Sequence, residues 1–172
     1  MSTIEDEQRR RAASVSFEVV DARSADAHAS MTAYFDELSE RFPEGFDPGD
    51  TLVADAGSFD EPHGVFLIAR SGPELGATAI ACGGVHHLDG RCGEIKRMWV
   101  HPDWRGVGLG RRLLSTLETH GVRLGYDTVR LDTHSVLAEA IRMYGTAGYS
   151  PIDRYNDNPF AKHWFEKPLN AR

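Results

Sequence analysis

Residues Glu94 to Leu117 read E-I-K-R-M-W-V-H-P-D-W-R-G-V-G-L-G-R-R-L-L-S-T-L. Ile95, Met98, Trp99 and Val100 supply the bulk that favours an extended, half-buried strand. His101-Pro102-Asp103 ends it, because proline has no N–H to give to a sheet. Arg105-Gly106-Val107-Gly108-Leu109-Gly110 then leads into a helix marked by Leu109, Leu113, Leu114 and Leu117 at helical spacing. Glycines let a backbone turn sharply and approach a ligand without a Cβ in the way. The start of a helix offers unpaired N–H groups and a partial positive charge. The stretch is therefore expected to cradle a phosphate or pyrophosphate, with Arg105, Arg111 and Arg112 adding charge nearby.

Two familiar phosphate loops do not fit. A P-loop needs Gly-Lys-Ser/Thr after its glycines, where this chain has Gly110-Arg111-Arg112. A dinucleotide fingerprint needs a third glycine where Arg111 stands, and it opens a βαβ unit rather than appearing late in a chain. What remains is R-x-x-G-x-G directly after a strand ending in V-x-P. This pattern resembles the acetyl-CoA pyrophosphate loop of the GNAT superfamily of N-acetyltransferases, and the resemblance runs from about Ala77 to Leu169. It implies an α/β fold: a mixed, mostly antiparallel central sheet with helices on both faces and a cofactor cleft between splayed parallel strands. It also implies acetyl-CoA as co-substrate, held by Arg105, Gly106, Val107, Gly108, Leu109, Gly110 and Arg111. Met98, Trp99 and Val100 would offer backbone groups to the pantetheine arm and the acetyl carbonyl, with the Trp99 side chain turned the other way into the core.

Composition sets outer bounds. At 172 residues the chain can bury one substantial core, and 41% hydrophobic with 26% charged residues is ordinary for a globular domain. A net charge of −7 argues against a nucleic-acid partner, whose phosphates select basic surfaces. The two cysteines, Cys82 and Cys92, with no secretory leader, suggest reduced thiols and a cytoplasmic setting. No apolar run approaches the length of a membrane span.

Taken in order, residues 1–14 read as a flexible, solvated tail and 15–172 as a single N-acetyltransferase domain. Phe17 to Val20 is the first expected strand. Ser24 is placed to cap a helix over 25–41, with Ala29, Ala33, Phe35 and Leu38 on its buried side. Phe42 to Gly49, rich in proline and glycine, is a loop, which the resemblance makes part of the acceptor pocket. Strands are expected at 65–70 and 77–85, with a turn over 71–76 between them. Cys82-Gly83-Gly84 suggests a close backbone approach. Residues 86–93 are expected as a hairpin connection, 129–132 as a strand, and 137–147 as a helix with Ala140, Ile141 and Tyr144 on one face. Gly148 is its stop. Closing strands are expected at 149–152 and 160–165.

The chemistry follows from the reaction that the resemblance implies. Acetyl transfer to an amine must take a proton from the ammonium, polarise the thioester carbonyl and protonate the leaving thiolate. Glu94, at the start of the central strand and on one face with Lys96, matches the spacing of a family general base, with a pKa expected to be raised by partial burial. Ala140-x-x-x-Tyr144-x-x-x-Gly148-Tyr149 resembles the family signature whose tyrosine hydroxyl protonates the thiolate. The family often places an asparagine seven residues before that tyrosine; here it is Leu137, and His134 or Ser135 is the expected substitute toward the cofactor. The polar and aromatic segment from Tyr155 to Phe165 is expected beside the acceptor, with Asp157 or Asn158 gripping an amine. The eight histidines are scattered and show no H-x-x-x-H, so no metal is expected. The reading is an acetyl-CoA-dependent N-acetyltransferase acting on a small-molecule primary amine, with homodimers expected and neither nucleic-acid nor membrane partners. A non-catalytic acyl-CoA-binding sensor is the alternative.

Overall fold

The structure, a computed structural model, describes residues 2–49, 55–72 and 77–169. Part of the expected turn over 71–76 lies outside them. Among the described residues, seven strands form one sheet: β1 (Phe17–Val20), β2 (Gly64–Arg70), β3 (Ala79–Asp89), β4 (Cys92–Val100), β5 (Thr128–Thr133), β6 (Ser150–Ile152) and β7 (His163–Pro168). Their order is β1-β2-β3-β4-β5-β7-β6, and every neighbouring pair is antiparallel except β4 with β5. The helices are α1 (Thr3–Ser14), α2 (Ala25–Arg41), α3 (Leu109–Arg123) and α4 (Ala138–Thr146).

Each sheet face is covered by a helix that carries an apolar stripe. On α3, Leu109, Leu113, Leu114 and Leu117 are buried in a core shared with Leu67, Val85, Val129 and Leu131. On α2, the buried side is Ala27, Met31, Phe35 and Leu38, packed on the other face against Phe66, Ile68, Cys82 and Trp99. Ser24 caps α2 by accepting from the Ala27 N–H, as expected. Ala29 does not belong to that stripe; it is exposed, and Ala27 takes the inward position.

The parallel pair opens the fold where the site lies. β4 and β5 are paired only from Cys92–Thr128 to Glu94–Arg130. Beyond that point β5 stays with β7 along its whole length, and Ile95 to Met98 part from Leu131 to Thr133. A bulge in β4 accompanies the parting: the β3–β4 register slips between Cys82 and Gly84, and Arg97 sits at φ 59°. Such a bulge twists its strand away and re-aims its side chains. The close approach expected at the paired glycines is also present. A Cβ on Gly84 would lie 2.4 Å from the Phe59 ring.

Several boundaries differ from the sequence reading. The hairpin connection shrinks to Gly90-Arg91, because β3 runs on to Asp89 and β4 begins at Cys92. The last strand starts at His163 rather than Phe160, which leaves Phe160 free to turn toward the α2 face. Cys82 and Cys92 do not face each other; Cys82 is opposite Trp99 and Cys92 opposite Asp89, and both thiols are free.

The first 14 residues, expected as a tail, form α1 from Thr3 to Ser14. Ser2 and Glu5 make a reciprocal capping box, each accepting from the other's backbone N–H. Most of the helix is exposed, but Ala12 is buried. The Arg112 guanidinium donates to the Ala12 and Val15 carbonyls at 2.6 and 2.7 Å. Arg112 therefore satisfies the end of α1 and is not turned to the expected anion cradle.

Candidate active site

The loop after β4 has the backbone geometry that an anion cradle needs. Pro102–Trp104 make one 3-10 turn, and Gly106 and Gly108 both adopt positive φ, 76° and 88°. Gly108 is the N-cap of α3 and offers no side chain to cap it. The first bond inside the helix runs from Arg112 N–H to the Gly108 carbonyl, so the amides of Leu109, Gly110 and Arg111 are not used by the helix. Nothing lies within 4 Å of where a Cβ on Gly106 or Gly108 would stand. An uncapped 15-residue helix with open space before it suits the phosphates of a nucleotide cofactor.

A cavity of about 310 Å³ extends from this loop into the β4–β5 gap. It is lined by Met98, Trp99, Val100, Arg105, Gly106, Gly108, Leu109, Gly110, Arg111 and Tyr144. Val107 is not among its lining residues; it faces Trp104 and Arg11 on the outer surface. The Trp99 side chain is buried on the α2 face, as expected. Arg105 is fixed by donating to the Val100 carbonyl at 2.8 Å and to Glu37 at 2.5 Å. Arg111 reaches Thr146 at the end of α4. Arg41, from the last turn of α2, crosses to Glu139 on α4 at 2.6 Å and so ties together the two helices that flank the opening.

A second cavity, of about 360 Å³, lies on the α2 side of the same gap. The two share Tyr34, Leu38, Met98, Leu137, Ala140 and Tyr144, so they meet at the point where the strands part. Phe35, Phe42, Phe46 and Phe160 form an aromatic wall; Phe46 and Phe160 meet edge to face at 4.8 Å between ring centres. Asp132, on β5, stands among the lining residues. Its carboxylate accepts from the side-chain amides of Asn156 at 2.5 Å and Asn158 at 3.2 Å.

The expected site residues divide between these surroundings. Tyr144 is buried and lines both cavities. Burial, and then the negative charge of Asp132, push its hydroxyl far above the ordinary range, so it stays protonated as a proton donor must. Asn158 lines the second cavity, whereas Asp157 is exposed and lines neither. His134 lines the second cavity and not the cofactor-side one. It stacks on Phe42 at 4.1 Å, accepts from the Val136 N–H through Nδ1 and directs Nε2 at Glu44, 2.8 Å away. It therefore does not take the place of the asparagine missing at Leu137.

Glu94 is buried behind the cavity wall and lines neither cavity. It accepts from the Tyr155 hydroxyl at 2.7 Å, with His86 Nε2 at 3.2 Å and Lys96 Nζ at 3.6 Å. Its pKa is lowered, not raised as expected. Burial is the largest single influence and acts upward, but the His86 hydrogen bond, the Lys96 charge and the Tyr155 hydroxyl together outweigh it. The period-two spacing that put Lys96 beside Glu94 was legible in the sequence; the contributions of His86 on β3 and Tyr155 after β6 were not.

The sequence reading also missed Asp132, Tyr34, Arg97 and the aromatic wall. The signal for Asp132 was a carboxylate inside a strand and a pair of asparagines two residues apart downstream. Arg97 is buried by its bulge, paired with Asp55 and placed over the Phe59 ring at 5.4 Å. Among the described residues, no group of three metal-binding side chains occurs, and no helix is long and apolar enough to cross a membrane.

The comparisons with known proteins converge. The sequence profile of the Acetyltransferase (GNAT) family matches residues 31–149. A Schizosaccharomyces pombe protein named as an uncharacterized N-acetyltransferase is 37% identical over 111 residues, which are 64% of this chain and 66%, just under two thirds, of that protein. The IAA acetyltransferase of Azospirillum brasilense is 30% identical over 152 residues, 86% of this chain and 96% of that one. A Salmonella typhimurium protein, solved with its cofactor acetyl-CoA, superposes with a TM-score of 0.64 at 20% identity, covering 92% of this chain and 95% of its own. With the splayed parallel pair, the glycine cradle at the start of α3 and this profile in agreement, the chain belongs to the GNAT family of acetyltransferases.

Proposed function

We propose that the protein transfers an acetyl group from acetyl-CoA directly to a primary amine of a small-molecule acceptor. The observation that carries this reading is the meeting of two cavities at Met98 and Tyr144. One is floored by the free amides of α3, the other lined by aromatic rings and by the carboxylates of Asp47, Asp55 and Asp132. The acetyl-CoA solved with the Salmonella protein supports the donor, and the IAA acetyltransferase name supports a small-molecule acceptor.

In this reading, Arg105 to Arg111 hold the pyrophosphate, and the backbone from Met98 to Val100, freed from pairing with β5, holds the pantetheine arm and polarises the carbonyl. The thioester supplies the acetyl group; the remaining tasks fall to the chain. The amine nitrogen forms the new C–N bond as the C–S bond breaks. The ammonium proton passes through solvent to Glu94, which the His86–Lys96–Tyr155 cluster keeps ionised. Tyr144 gives its proton to the departing sulfur.

The test is free-thiol release from acetyl-CoA against a panel of amines, with Glu94→Gln and Tyr144→Phe alongside. Amine-dependent release that falls by about 10²-fold or more in kcat in each variant is expected, the usual scale of general acid or base catalysis. Full activity in either variant removes that residue from the mechanism. Acetyl-CoA binding without release from any amine supports the sensor alternative.

A further inference from the structure

The second cavity has a charge arrangement that selects its occupant. Two cationic side chains, Lys96 and Arg97, line it, and each has a carboxylate of its own, as does the His134 ring, whose Nδ1 accepts from the Val136 N–H. Lys96 lies 3.6 Å from Glu94, Arg97 is paired with Asp55, and His134 faces Glu44 at 2.8 Å. Asp132 is different: among the described residues its two oxygens receive only the neutral amides of Asn156 and Asn158. Those amides are themselves aimed. The Trp164 indole N–H donates to the Asn156 carbonyl oxygen at 3.0 Å, and the Phe160 N–H donates to that of Asn158 at 3.1 Å. Each asparagine is thereby turned with its NH₂ toward Asp132. Among the described residues, this carboxylate thus meets oriented neutral donors and no cationic partner.

Phe42, Phe46 and Phe160 line the same cavity as Asp132. The segment carrying the two asparagines also carries Phe160, so charge and aromatic surface are built as one unit. We propose that the acceptor is a primary ammonium attached to an aromatic body, with its ammonium docked on Asp132 and its ring packed against Phe42, Phe46 and Phe160. A cavity of about 360 Å³ holds a molecule of that size. Asp132 lies beside Tyr144, whose hydroxyl feels its charge, so an ammonium bound there stands next to the junction with the cofactor cavity. The assignment rests on the acetyltransferase reading but names its substrate class.

Two experiments separate the two claims. Steady-state kinetics with acetyl-CoA compares phenethylamine and tryptamine with butylamine, putrescine, neutral aniline and anionic 4-aminobenzoate. The arylalkyl ammonium compounds are expected to lead by about tenfold or more in kcat/KM. Asp132→Asn is expected to raise their KM about tenfold or more, the scale of a lost charge-assisted hydrogen bond, while changing aniline far less and leaving acetyl-CoA affinity intact. Phe46→Ala, a partly exposed loop substitution, is expected to erase the preference of phenethylamine over butylamine even where the Asp132 variant folds poorly. Preference for putrescine or 4-aminobenzoate, or an unchanged KM in the Asp132 variant, overturns the proposal. Calorimetric titration of phenethylamine into the protein saturated with CoA reads binding without turnover. Binding there with no transfer sinks the acetyltransferase reading and keeps the site; transfer to other amines with no such binding does the reverse.

Discussion

Glu94 shows how one residue's role depends on neighbours far along the chain. Its pKa lies below the ordinary 4.5, so the unfolded chain takes up its proton first as the pH falls. The stabilisation is complete above about pH 4.5 and is lost as pH drops through the lower folded value. Glu94→Gln should therefore flatten the acid limb of the stability curve, measured as urea midpoints between pH 7 and pH 3.5. A limb as steep as that of the parent would show that other carboxylates dominate. Because Glu94 is ionised across the neutral range, the acid limb of kcat/KM should follow deprotonation of the amine rather than of this carboxylate. Gly108 makes a second case at this scale. Its φ of 88° costs other residues about 1–2 kcal/mol, while its Cβ position is open. Gly108→Ala should lower stability by that amount and raise the KM for acetyl-CoA, since relaxing the strain moves the cradle.

Among the elements, α1 and β3 make opposite demands. Helix α1 buries Ala12 and is held by the two Arg112 hydrogen bonds. Deleting residues 2–14 should cost about 1–3 kcal/mol, the range for hydrogen bonds from a charged group, and leave acetyl transfer intact. Equilibrium urea unfolding and the thiol-release assay check both halves of that statement. In β3 the constraint is steric. Gly84→Ala drives a methyl group to within 2.4 Å of Phe59 and 3.0 Å of Phe66. Overpacking of this kind costs about 1–3 kcal/mol, and it pushes on the Phe59 ring that also supports Arg97. Thermal unfolding should report the loss; a neutral result would mean that the Phe59 segment yields easily.

At the scale of the molecule, the gap lies where β4 and β5, the parallel pair of the seven-stranded sheet, cease to pair beyond Glu94 and Arg130. A cofactor bridging that gap binds only the folded state. At a concentration 100 times its dissociation constant it should stabilise the protein by about 2.7 kcal/mol. For a chain of this size that corresponds to a rise in Tm of roughly 5–10 °C. Differential scanning fluorimetry with acetyl-CoA, ATP and NAD separates the cradle proposed here from a general nucleotide site. Equal shifts with all three would remove the specificity that the Met98–Val100 backbone is assigned.

The sequence by itself determined the strand, glycine loop and leucine-striped helix from Glu94 to Leu117, because their signals are local: alternation, positive-φ glycines and a repeat of three to four residues. It also marked Tyr144, whose motif sits within one helix and its stop. It misread the first 14 residues, where a capping box offset an otherwise solvated composition, and it set the ends of β3 and β7 wrong by a few residues, since sheet pairing rather than propensity decides where a strand stops. Only the tertiary structure decided the rest. Asp132, Asn156, Asn158 and Phe160 become one arrangement when β5 pairs with β7 and the loop before β7 folds over the α2 face. Glu94 acquires its low pKa when β3 brings His86 opposite it and Tyr155 folds back from after β6. Both depend on contacts between residues 8 to 61 positions apart, and no local pattern encodes which distant partner will arrive.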